Sequence, residues 1–169
     1  MVVIAITAIL LAIGMPQLNE FSASRTMTSH VSLLAGAMRL ARAEAVKRGT
    51  RVTICPSLSP EAAAPACDGG DDDWAEGWVI FTDLGTINSI DAGDRLIRVQ
   101  PPLRDSAGIQ SVGGGAVNFF PTGIAIGGER TFNFLPRLAT THPNYNLAAR
   151  RMCVDNSGGT RLRDYTVTC

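Results

Sequence analysis

Over residues 1–15 the only polar side chain is Thr7, and no charge occurs before Glu20. A threonine hydroxyl can bond back to its own helix backbone, so this run is compatible with lipid, where backbone polar groups must be satisfied internally. As a helix it spans about 22 Å, short of the ~30 Å hydrocarbon core of a bilayer. The shortfall predicts that residues of the same segment precede Met1. A cleavable secretory signal would open on basic residues, and none stands before the apolar run, so a membrane or assembly helix is the stronger reading. The candidate residues of that helix are Met1, Ile4, Ile9, Leu11 and Pro16. Pro16 meets Gln17, Asn19 and Glu20 at the polar boundary, where a proline removes one backbone bond and predicts a kink or local melting.

Beyond Pro16 a helical pattern resumes. Val31, Leu34, Met38, Ala41 and Ala45 recur at three- and four-residue spacing, whereas Arg39, Arg42, Lys47 and Arg48 mostly occupy other faces. The cations read as a solvated face whose last turn suits the negative end of the helix dipole, and Gly49 is a natural stop. After it come short strands, expected over residues 51–55, 78–81, 96–99, 117–120 and 131–135. A closing hairpin is expected from 152–154 and 160–165 around Asn156-Ser157-Gly158-Gly159. Residues 58–73, with Asp68, Asp71, Asp72 and Asp73, lack the spacing of a calcium loop and read as a solvated loop. The fold class is therefore α+β: one long N-terminal helix packed on a head of short antiparallel strands. The expected division is a truncated membrane half of the helix (1–21), an amphipathic half (22–49) and a β-rich head (50–169).

Cys55 and Cys67 are twelve apart and Cys153 and Cys169 sixteen apart, neither with zinc spacing. Of the three possible connectivities, the wide gap between the pairs favours Cys55 with Cys67 and Cys153 with Cys169. Such bridges imply an oxidising compartment. A formal net charge of +0 offers no global attraction to nucleic acid, so any such binding must come from a local patch. The two histidines, His30 and His142, are far apart, and no nucleophile, metal or phosphate-loop motif occurs. Catalysis, a cofactor and a metal site are not expected.

Several segments taken together resemble the GspH/FimT family of type IV pilin-like proteins. They are the apolar start through Pro16, Met38-Arg39-Leu-Ala-Arg42-Ala-Glu44-Ala-Val-Lys-Arg48, Val52-Thr-Ile-Cys55, and above all Trp74-Ala-Glu-Gly77-Trp78-Val-Ile-Phe81-Thr-Asp83. Weaker likeness follows at Val117-Asn-Phe119-Phe-Pro-Thr-Gly123. The family's peptidase site and assembly glutamate have no counterpart here, which agrees with a start that is cut short. The resemblance implies a pilin fold with two small sheets and an inner-membrane anchor with the head in the periplasm. It also implies partnership with other pilin or pseudopilin subunits in a type IV pilus or, alternatively, a type II secretion pseudopilus. One branch of the family resembles DNA receptors of natural transformation with a G-R-x-R motif. Here Gly159-Thr160-Arg161-Leu162-Arg163 carries one inserted residue. On a strand Arg161 and Arg163 project to one side and could grip phosphates, with Arg150 and Arg151 adding to the patch. Asp155 and Asp164 oppose it.

Overall fold

The computed structural model describes residues 2–71, 74–126 and 129–169, and side chains from Phe21 onward. Met1, Asp72, Asp73 and the side chains of Ile4, Ile9, Leu11 and Pro16 lie outside the described residues. The chain runs as α1 (Val2–Arg48), β1 (Val52–Pro56), a 3-10 turn (Trp74–Glu76), β2 (Trp78–Thr82), β3 (Leu96–Gln100) and β4 (Ser106–Val112). It continues with β5 (Val117–Phe119), β6 (Ala125–Ile126), β7 (Arg130–Pro136), α2 (Tyr145–Ala148), β8 (Arg150–Val154) and β9 (Thr160–Asp164).

α1 is one helix through Pro16, so the local melting expected there does not occur. A proline deletes a single backbone donor, and the remaining bonds on either side carry the helix past it. Met27, Val31, Leu34, Met38, Ala41 and Ala45 are buried at alternating four- and three-residue steps, while Arg39, Arg42, Lys47 and Arg48 are exposed. Burying each larger side chain of such a stripe contributes about 1.5–3 kcal/mol. Small Ala41 and Ala45 let the last turns approach the strands. Gly49, at φ 66°, donates to the Ala45 carbonyl and closes the helix in the left-handed conformation that glycine adopts without strain.

Two antiparallel sheets receive this stripe, one ordered β3-β2-β1-β5-β6 and the other β4-β7-β8-β9. In the first, β1 and β2 are buried along their whole length because both faces are covered. α1 takes one face. On the other, Cys55, Val79 and Phe81 pack with Cys67, Ile90 and Ala116 from the flanking loops, and the Cys55–Cys67 bridge fastens that cover. Pro56 is the last residue of β1, beyond the end of the β5 pairing, where a missing donor does no harm. In the second sheet β7 alternates, with Arg130, Phe132, Phe134 and Pro136 turned inward. Its other face meets solvent.

Trp74 joins the two sheets. Fully buried, it stands edge-on to Phe132 of β7 at 5.0 Å and lies 6.3 Å from Trp78 of β2. Neither indole N–H has a hydrogen-bond partner among the described residues, and both rings act as apolar filling. A polar knot closes the top of the first sheet. Buried Asp83 accepts from Arg51 at 2.5 Å, from Thr53 Oγ1 at 2.7 Å and from the Asn88 N–H at 2.9 Å. The Thr53 hydroxyl also lies 2.6 Å from Asn118 Oδ1, so its single proton is shared between two acceptor oxygens. At the far edge Ala125 N–H donates to the Asn156 carbonyl of the β8–β9 turn, linking the sheets a second time.

Candidate functional site

The β8–β9 hairpin is set by its turn. Asp155 accepts from Ser157 Oγ and, at 2.9 Å, from Gly159 N–H, bonds that hold its carboxyl below the usual range together with the nearby Arg161. Gly158, at φ 75°, lies over Phe119 and the Arg42 stem; a Cβ there would stand 2.7 Å from the Gly123 carbonyl. Five register pairs follow, from Val154↔Thr160 to Arg150↔Asp164. Because Met152 and Val154 point into the core, Arg151, Cys153, Arg161 and Arg163 share the outward face.

The four candidate arginines thus separate. Arg161 and Arg163 are exposed side by side on β9, with Arg151 opposite Arg163. Arg161 pairs with Asp155 at 3.6 Å, mostly in solvent, an interaction of small energy. Arg151 is pinned: it donates to Asn133 Oδ1 at 2.9 Å and to the Val167 carbonyl at 2.8 Å, and stacks 5.3 Å over Tyr165. Arg163 makes no ion pair among the described residues. Arg150 lies at the end of the opposite, inward face. Its guanidinium donates to the Leu147 and Ala149 carbonyls and reaches Ser24 Oγ of α1 at 3.2 Å. The Cys153–Cys169 bridge folds the tail across this sheet, and Glu129 and Asp155 border the depression beside Arg161 and Arg163.

One signal in the sequence was passed over. From Val52 to Asp94 the chain carries nine carboxylates and no lysine or arginine, so the neutral total conceals a strong segregation. Among the described residues, the fold sets this segment about the first sheet together with Arg51, Arg95 and Arg98, while α1 and the second sheet hold most of the other cations. Local, not net, charge is the relevant quantity for this head. His30 is buried in α1, and His142 accepts from the Asn144 N–H in a surface loop, so the two do not meet. Among the described residues no helix is long and apolar enough to cross a membrane.

The sequence model of the family described as Type II transport protein GspH matches residues 30–158, most of the described head together with the packed half of α1. The chain belongs to the GspH family. No curated protein matches it. Among solved structures it is similar to the type IV minor pilin FimU of Pseudomonas aeruginosa, with TM-score 0.61 and 19% identity over 87% of this chain and 95% of that one. It is also similar to the minor pseudopilin EpsH from the type 2 secretion system of Vibrio cholerae, with TM-score 0.51 and 12% identity over 83% and 98%. At these identities the likeness is one of fold: the long helix and two small antiparallel sheets are the pilin fold. The GspH-family chain accordingly shares its fold with a minor pilin and a minor pseudopilin.

Proposed function

We propose that this chain is a minor pilin of a type IV pilus, held in the inner membrane by the start of α1 with its head in the periplasm, and drawn from there into the filament. The supporting observation is that α1 outruns its own head. Among the described side chains the core takes the helix from Met27 onward, and roughly 35 Å of α1 lies before it, apolar in sequence to residue 15. In lipid or in an assembled bundle such a segment packs against neighbouring helices. The likeness to EpsH supports a second reading, a pseudopilus subunit of type II secretion. Shearing filaments from producing cells and probing them for the head separates the two. A head in the sheared fraction supports the pilus. A head retained in the envelope, with protein secretion lost on deletion, supports the pseudopilus.

A DNA contact on the outer face of β8–β9 is a finer reading, supported by unpaired Arg163 beside weakly paired Arg161. Two or three phosphate contacts give weak, sequence-independent binding that falls steeply with salt. Gel shifts across a salt series are expected to show retardation at low salt only, lost in Arg161→Ala/Arg163→Ala and kept in Arg150→Ala if that variant remains folded. No shift at low salt, or an undiminished shift in the double variant, removes DNA from the account.

A further inference from the structure

Where α1 leaves the head, two large apolar side chains stand in solvent: Phe21 is 60% and Leu147 70% exposed. They border one depression with Ser24 and Ala148, so they form a patch. Single exposed leucines are ordinary on any surface. This one is held in place. Arg150 fastens the carbonyls of Leu147 and Ala149 and bonds Ser24, locking α2 against α1, and Ala148 and Ala149 are buried beneath it. Beside it the Arg25 guanidinium lies 4.9 Å over the Phe21 ring, a cation on an apolar stem at the rim of the patch.

The course of α1 indicates what covers this patch. The apolar run ends at residue 15, six residues below Phe21, or about 9 Å along the helix. A headgroup layer extends about 5–8 Å beyond the hydrocarbon on each side. With the run in the hydrocarbon, the Phe21 backbone stands at the outer margin of the headgroup layer. Helical side chains lean toward the N-terminus, so its ring and the Arg25 guanidinium over it reach back toward that layer, and Leu147 borders the same depression. We propose that the base of the head, Phe21 with Arg25 and the Arg150-clamped Leu147, is a docking surface for the phospholipid headgroup layer. It seats the head against the bilayer while the subunit awaits assembly. This rests on the membrane-anchored reading of α1.

The test uses the full chain reconstituted in phosphatidylcholine–phosphatidylglycerol vesicles. An environment-sensitive fluorophore is placed singly at Leu147→Cys, Ile9→Cys or Val112→Cys, the four native cysteines remaining bridged. Val112, 59% exposed on β4, reports the water-facing head. A quencher on the lipid headgroup is expected to quench the Leu147 probe at least roughly twofold more than the Val112 probe, with the excess falling in Phe21→Ser/Arg25→Gln. A Leu147 probe quenched no more than Val112, while the Ile9 probe reports hydrocarbon, overturns the docking surface and leaves the anchor standing. An Ile9 probe in water overturns the anchor and the docking together. Quenching of Leu147 by a labelled second copy but not by lipid assigns the patch to a neighbouring subunit and overturns the proposal as well.

Discussion

His30 lies on the packed face of α1, 6% exposed, with Nδ1 lacking a hydrogen-bond partner among the described residues. Burial pushes its pKa below the ordinary value, and the charge of Asp105 offsets only part of that. The unfolded chain therefore binds a proton on this ring at a higher pH than the folded one. The stability this neutral histidine permits is complete above about 6.5, the unfolded value, and declines as pH falls from there through the folded value. The urea midpoint is expected to drop between about pH 7.5 and about pH 5.5, with a shallower drop in His30→Gln. A slope unchanged by the substitution would place the titrating group elsewhere. Residues of this kind show how far a sequence can be read. Val31, Leu34, Met38, Ala41 and Ala45 were legible because helical spacing alone sets which side they face. Arg150 and Arg151 were not, because adjacent strand residues point opposite ways and only the β8 register says which goes in. Trp74 gave no hint that it spans both sheets, since its partner Phe132 is remote in sequence.

At the scale of elements, the two bridges test what a cross-link does in this head. Chain entropy alone makes them nearly equal, each worth about 3 kcal/mol for loops closed over 12 and 16 residues. Burial distinguishes them. Cys55 is 1% exposed and packs with Val79 and Phe81 under the loop that covers the first sheet, whereas Cys169 is exposed. Replacing Cys55 and Cys67 by serine is expected to lower stability by more than replacing Cys153 and Cys169, measured as the shift in urea midpoint. Equal losses would mean that the loop cover contributes nothing beyond closure. The strands most visible in the sequence are those with dense or alternating apolar residues: β1, β2, β3, β7 and the final hairpin. β4, β6 and α2 were missed. β4 reads Ser106-Ala-Gly-Ile-Gln-Ser-Val112, with only Ile109 and Ser111 buried, so its pairing with β7 leaves little mark on its own composition. β6 has two residues and α2 four, too few for any period to show.

For the molecule as a whole, both sheets close on one helix and share Trp74 between them. Unfolding of the head is expected to be a single transition. Tryptophan emission, which reports the junction through Trp74 and Trp78, should change with the same midpoint as far-UV circular dichroism. Separate midpoints would show that the sheets part before the core is lost. The helix also has a mechanical consequence. A subunit pulled along α1 transmits the load to its head through Met27 to Ala45, about 27 Å of contact. Those contacts lie parallel to the direction of pull, and strands of both sheets bear on them. Force along the axis thus loads the interface in shear, all rows together, and not in peel, one row after another. A head gripped in this way is strongest along the one direction in which a filament would tug it.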